Sequence, residues 1–419
     1  MSFHGGFVPA AFAFIAAATL LLAAVGVPSG TRDPVASLGD DAAALPVAPA
    51  PEADAADVAV LPVGHWEQRF AQVAATDHSR NLPLSQSGDS RKFYDHAYSI
   101  DANVSMFEAT GKAAYLDRAL LYTTNMVDDA RVSSSLGSGA FGDGYLGWTS
   151  KATDSGNAGT YGTEVALFES YAWRYVARML RVLRESPLYA STGYRAQYDR
   201  LLRFTETNIF DKWVNRGANS YVYRSNTHMA SHWAYIALEV ERLTTDSVRK
   251  QRARTVVDNI DLHLPNYRGA SLKGQMRLGT VASGAYFWSS SWGSTSTPGQ
   301  DVAHGNAVAS YVTEARDLGT TWTPEDMTRF SKTLTDVILP TSAYVNGTGS
   351  GTGWLADGLV KLGRYSVAAQ QRLETHQTQG QLQYMASMAV NARRLTDARG
   401  GRGLFGCPLV KRCAVTSHS

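Results

Sequence analysis

The feature that most restricts the fold of this chain is a spacing pattern. Apolar residues recur at intervals of three and four through most of its 419 residues, and the connections between these stretches alternate between short and long. The helical spacing runs through residues 115–130, 162–185, 196–210, 229–243, 246–264, 303–319, 324–338 and 381–394, whereas strand-like alternation is scarce. The expected class is therefore all-α. The short connections read SPLYASTG, LTT and GTTWT, and the long ones, over 133–162, 269–300 and 344–353, are rich in Gly, Ser and Trp. Loops this long inside a compact domain usually carry function. A ring of helical hairpins produces such alternation, with one end closed tightly and the other bearing the site. Twelve or thirteen helices give six or seven hairpins, an (α/α) toroid. A solenoid of helical repeats would need a fixed period and short loops throughout, which the unequal loops contradict.

The flanks read differently. Residues 7–27 are apolar or small (FVPAAFAFIAAATLLLAAVGV) and are followed by Pro28 and Ser29, which resembles the apolar region of a signal peptide. No Lys or Arg precedes the run, and roughly 20 apolar residues can span a bilayer, so an uncleaved anchor is the alternative. Both predict an exported protein, secreted or periplasmic, with no stable membrane insertion if the signal is cleaved. Residues 28–62 are Ala, Pro and Asp rich, contain no aromatic residue, and read as a disordered linker. The catalytic unit is expected over 63–397 and a tail over 398–419. The tail holds both cysteines of the chain, Cys407 and Cys413. They exclude a disulfide scaffold and a multi-cysteine zinc module, and either a small disulfide loop or two thiols remains open.

The formal net charge of +2 conceals an asymmetry. Residues 1–60 hold one basic residue (Arg32) and six acidic ones, so 38 of the 39 basic and 31 of the 37 acidic residues belong to the remainder, an excess of 7 cations. That excess suits attraction of a polyanion, with rates that fall as salt rises.

Three groups of residues carry candidate chemistry. In SNTHMASHWAYIALE, His228 and His232 lie four apart and so share one helix face near its start, where Asn226 or Thr227 can cap. The spacing occurs in zinc helices, but the glutamate of HExxH and a third ligand are missing, so no metal is expected. Core histidines and a catalytic pair are the remaining readings. In PGQDVAHGNAVASYVTEARDLG, Asp301 suits an N-cap, and His304 and Asn306 follow at a helix start, a place suited to binding a carboxylate. In MRLGTVASGAYFWSSSWG, Arg277, Tyr286, Trp288 and Trp292 stand among Gly and Ser, where aromatic rings have no helical face to fill and suit stacking on sugars. Trp148 and Trp354 in the other long loops would extend that surface.

The sequence has no GxxxxGK[ST] loop, no GxGxxG that follows a strand and no GxSxG nucleophile elbow, and no nucleic-acid partner or cofactor is expected. Glu164, Asp143 and Asp154 are available as a glycosidase carboxylate pair, although acidic residues at loops and helix starts are ordinary caps.

The stretches SNTHMASHWAYIALEVERL and QDVAHGNAVASYVTEARDLG, with an aromatic Tyr-containing loop between them, resemble the (α/α)-toroid polysaccharide lyases, most closely polysaccharide lyase family 38, whose members cleave glucuronan or alginate. The resemblance extends over about residues 66–394 and is specific around these two stretches. It implies a barrel with an acidic polysaccharide across its long-loop end and β-elimination of a 4-linked uronate. The C5 proton lies α to a carboxylate and leaves only if that carboxylate is neutralised, a base takes the proton, and an acid assists O4. By the resemblance, Tyr286 is the acid and also a candidate base, with His232 as base or its partner. Asn306, His304 and Arg277 hold the carboxylate, and His228 and Asn226 line the site. Arg268 competes with Arg277 in this alignment, and Tyr267 with Tyr286. A tyrosinate base needs cations such as Arg277 to lower its pKa, and implies an alkaline optimum. The rivals are a glycoside hydrolase on the same fold, which needs a carboxylate pair at the cleft, and a non-catalytic carbohydrate-binding envelope protein.

Overall fold

The computed structural model describes residues 59–294, 299–376 and 381–399. The signal, nearly all of the linker and the two cysteines lie outside them, as do the tail residues from 400 on. The chain runs through α1 (Val63–Ser85), α2 (Ser90–Thr110), α3 (Ala113–Asp128) and α4 (Ala166–Glu185). It continues with α5 (Thr192–Phe204), joined by a π turn to α6 (Lys212–Tyr221), then α7 (Thr227–Leu243) and α8 (Ser247–Leu262). A short α9 (Leu272–Gln275) precedes α10 (Val302–Asp317), α11 (Pro324–Lys332) and α12 (Leu339–Thr341). The 3-10 segment Leu359–Tyr365, α13 (Val367–Glu374) and α14 (Leu382–Arg399) complete the fold. The described strands form two two-residue ribbons, β1 (Arg131–Val132) with β2 (Leu146–Gly147) and β3 (Arg277–Leu278) with β4 (Tyr286–Phe287).

The helices form two concentric layers. Helices α2, α4, α7, α10, the segment Leu359–Tyr365 and α14 each pack on the next, and α14 packs back on α2, so the inner ring closes. Outside it, α1, α3, the α5–α6 unit, α8, α11 and α13 cover the gaps. This is an (α/α) toroid of six hairpins. Local signals set its helix limits. Asp89, Asp246 and Ser366 accept backbone N–H bonds at the starts of α2, α8 and α13, and Thr323 with Asp326 forms a capping box on α11. Gly111 ends α2 in the left-handed region at φ 73°.

An inner helix has neighbours all round. Every residue of α4 from Phe168 to Leu183 is buried, including Arg174, Arg178 and Arg181, which share the face turned to the toroid axis. Buried charges need partners. Arg178 binds Asp101 (3.0 Å) and Glu108, Arg181 binds Glu239 (2.9 Å) and Glu314, and Lys361 binds Asp101 (3.2 Å). The axis is thus filled by ion pairs instead of aliphatic side chains.

Every long connection, over 129–165, 263–301 and 342–358, leads from an outer helix to the N-terminus of an inner element. The returns, over 111–112, 186–191, 244–246 and 318–323 and at Ser366, are short. One end of the toroid therefore carries all the long loops. The last of these loops packs against α10 through Gly358, where a Cβ would overlap the Asn306 carbonyl oxygen and the Ser310 backbone nitrogen.

Candidate active site

The starts of α2, α4, α7 and α10 and the 342–358 loop bring a histidine and tyrosine cluster together at the long-loop end. Helix α10 begins at Asp301, whose carboxylate accepts from the His304 backbone N–H (3.0 Å) and from His304 Nδ1 (2.8 Å). Hydrogen bonds from His304 hold the Asp301 carboxyl below its usual range, although burial opposes them, and the bond to Asp301 raises the His304 pKa. An ionised carboxylate only accepts, so the Nδ1 proton of His304 is committed to Asp301. Its Nε2 is then the atom that exchanges a proton.

His228, in the first turn of α7, has the opposite arrangement. Thr227 Oγ1 donates to Gln300 Oε1 (2.7 Å), which turns the Gln300 amide nitrogen toward His228 Nδ1 (3.2 Å). In this network assignment Nδ1 accepts and the imidazole proton sits on Nε2. Burial, followed by His304, lowers the His228 pKa to about 3, so the ring is neutral. The rings of His228 and His304 lie 4.5 Å apart. One presents a donor and the other a lone pair.

Aromatic rings complete the cluster. Tyr94 stacks on Tyr171 at 3.7 Å, the hydroxyls of Tyr98 and Tyr171 are hydrogen-bonded, and Trp354 packs edge-on against Tyr98 at 4.8 Å. Tyr171 also meets His232 at 4.9 Å. Burial raises the Tyr94 pKa to about 12 and carries those of Tyr98 and Tyr171 higher still, so all three stay protonated. Beneath them, the Arg174 guanidinium lies 4.4 Å from the Tyr171 ring and 4.3 Å from that of Tyr175, and it binds Asp357 (2.8 Å). Tyr94, Tyr98, Tyr171, Arg174 and Gln300 were not singled out from the sequence. The spacing of Tyr94 and Tyr98, one turn apart, was the available signal.

The structure redistributes the residues expected from sequence. His228 and His304 meet as described, His232 lies one turn deeper on α7 and is fully buried, and Asn226 occupies the α7 N-cap position beside them, half-buried. Asn306 is engaged by the backbone of the 342–358 loop and its end. Its Oδ1 accepts from the Gly358 and Leu359 backbone N–H groups (3.0 Å each) and its Nδ2 donates to the Trp354 carbonyl, so it fixes the loop that brings in Trp354.

Tyr286 is placed elsewhere. Its hydroxyl donates to Asp326 (2.9 Å), its ring meets Phe330 of α11, and none of its described contacts is with the histidines. Burial and then Asp326 push its pKa up to about 12, the reverse of what a tyrosinate base requires. Arg277 lies on β3 opposite Phe287 of β4, on that same hairpin, and no described ion pair includes it.

The expected tryptophan platform is mostly core. Trp148 is buried among Phe93, Trp173 and Phe204 and donates to the Met126 carbonyl (2.9 Å). Trp288 is buried against Phe330, and Trp292 is half-buried with its indole N–H on the Arg224 carbonyl (2.5 Å). These Gly-rich loops fold back on the helices, and the buried indoles pack against helix residues. Of these residues, Trp354 stands with the cluster. Glu164 and Asp143 are both bound by Arg216 (3.0 and 2.8 Å), and Asp154 lies at the surface with Asn157; none of the three has a described contact with the histidine and tyrosine cluster. Among the described residues no group of three or more His, Cys, Asp or Glu is placed to hold a metal ion. No helix among them is long and apolar enough to cross a membrane.

No model of a known protein family matches the sequence, and no curated protein matches it. Among solved structures, an inactive variant of the α-1,6-mannanase GH76A of Salegentibacter sp. HEL1_6, in complex with α-1,6-mannotetrose, is similar over 78% of this chain and 98% of that one, with 10% identity and a TM-score of 0.41. The toroid described above rests on the ring closure within this chain.

Proposed function

We propose that this chain is an exported lyase that cleaves a 1,4-linked polyuronate such as glucuronan or alginate by β-elimination at the long-loop end of the toroid. The observation that carries the reading is the contact of His228 and His304 in opposite tautomers, one turn from His232, which meets Tyr171 and through it Tyr98. His304 Nε2, poised by Asp301, takes the C5 proton. His228 Nε2–H donates to the uronate carboxylate as charge builds there. The Tyr98 hydroxyl protonates O4 as the C4–O4 bond breaks and the C4–C5 double bond forms, and its high pKa suits an alkoxide-like leaving oxygen. Tyr98 thus takes the role expected of Tyr286.

A glycoside hydrolase would need two carboxylates at the cleft. The carboxylates in described contact with this cluster are Asp301, bound to His304, and Asp357, buried beneath Arg174. The test uses glucuronan and alginate with two assays run together. A lyase produces new reducing ends and ultraviolet absorbance from the conjugated product in step. Reducing ends without that chromophore would establish a hydrolase, the activity named for the similar mannanase. Neither signal on any polyuronate would leave a binding protein.

A further inference from the structure

Beneath the histidine and tyrosine cluster, two fully buried side chains hold polar atoms without partners. His232 makes no hydrogen bond through either ring nitrogen. Arg174 uses Nε on the Tyr171 carbonyl (3.1 Å) and Nη2 on Asp357 (2.8 Å) but leaves Nη1 unpaired. Both pack on Tyr171, His232 at 4.9 Å and the guanidinium at 4.4 Å. His96, another fully buried histidine, leaves Nε2 unpaired but binds Asn81 through Nδ1 (3.0 Å), whereas neither nitrogen of His232 has a partner. Unpaired polar atoms are costly to bury, and a ligand that supplies the missing bonds is one way to satisfy them.

We infer that the floor of this histidine and tyrosine cluster is a seat for the substrate's carboxylate, formed by Arg174 and His232 and covered by Tyr98 and Tyr171. This deepens the lyase reading and rests on it for the polymer, though not for the acid group. A carboxylate offers two oxygens with lone pairs enough for Arg174 Nη1–H, a His232 N–H and His228 together, whereas a sugar hydroxyl offers one oxygen. Charge balance adds a signature. Arg174 is already neutralised by Asp357, so an arriving carboxylate is matched only if His232 takes up a proton. The other titratable and charged groups around that ring are His228, His304, Asp301, Arg174, Asp357 and Tyr171. The same interaction selects acidic over neutral sugars.

The test is calorimetric titration of the whole protein with sodium glucuronate and, separately, with glucose, each in buffers of different ionisation enthalpy near neutral pH. Glucuronate is expected to bind with net proton uptake and glucose not to bind. His232→Phe, which keeps an aromatic ring and removes the unpaired nitrogens, should weaken glucuronate at least tenfold and abolish the proton uptake while raising the thermal midpoint. A role in stability alone would lower that midpoint instead. Glucuronate that fails to bind, or binds the variant as it binds wild type, overturns the seat. Glucuronate binding without any chromophore from polyuronates would keep the seat and remove the lyase, and a chromophore unaffected by His232→Phe would do the reverse.

Discussion

Replacing Asp301 with asparagine isolates the charge that poises His304. The amide oxygen can still cap α10 and accept from Nδ1–H, so the fold and the tautomer are preserved while the negative charge is lost. Both side chains are more than a third exposed (36% and 38%), so solvent screens the pair and its worth is about 0.5–1 kcal/mol. The bond to Asp301 raises the His304 pKa, and a base must be unprotonated, so the acid limb of the kcat/KM profile should move to lower pH in Asp301→Asn. Turnover on the plateau should fall by at most about fivefold, the factor that 1 kcal/mol corresponds to, because the base is weaker.

Stability gives an independent reading. The raised His304 pKa contributes stability that is whole below the unfolded value of about 6.5 and is lost as pH rises through the folded value. The lowered Asp301 pKa contributes stability present above about 3.9 and lost as pH falls through the folded value. Denaturant titrations of Asp301→Asn should therefore show their largest deficit between about pH 4 and 6.5. An acid limb that stays in place or moves upward, or a deficit that grows above pH 8, would refute the assignment of His304 as the base.

Other substitutions separate the site from its supports. Tyr286→Phe should keep turnover within about threefold of wild type and cost about 0.5–1.5 kcal/mol in denaturant titration, because its hydroxyl serves Asp326. Near-complete loss of turnover would return Tyr286 to the mechanism. Trp148→Ala should cost about 3–5 kcal/mol by the same measurement, as expected for a buried indole and not for an exposed sugar platform. Gly358→Ala should destabilise by more than about 3 kcal/mol, since two backbones would have to separate.

Much of the fold was legible because outer and inner helices alike show apolar spacing, and unequal loops reveal a two-ended ring. The segments expected over 115–130, 229–243 and 303–319 correspond to α3, α7 and α10 within about two residues at each end. Helices α1 and α2, the segment Leu359–Tyr365 and α13 were not picked out. The Asp101 and Glu108 face of α2 is turned to the axis, where ion pairs replace the apolar stripe, and Leu359–Tyr365 is a 3-10 turn too short to show a period.

At the site, His228 and His304 were legible because histidines at helix starts are uncommon as core residues. Tyr94, Tyr98, Tyr171 and Arg174 come from two helices remote in sequence and meet only when the ring closes. The loop tryptophans misled for a physical reason. A long Gly-rich loop has no helix face for an indole, but it folds back on the helices beneath, and burying so large a ring stabilises that arrangement. Asn306 misled in a related way, since an amide with both a donor and an acceptor can tie a neighbouring loop as readily as it binds a ligand.

The central claim is elimination without water. The most direct measurement is the mass of the oligosaccharides released from glucuronan in water enriched in oxygen-18. The account predicts new non-reducing ends that are lighter by one water and carry a double bond, with no label introduced by cleavage once exchange at the reducing end is blocked or corrected for. Products of full mass that carry one labelled oxygen per cleavage would contradict it and establish hydrolysis.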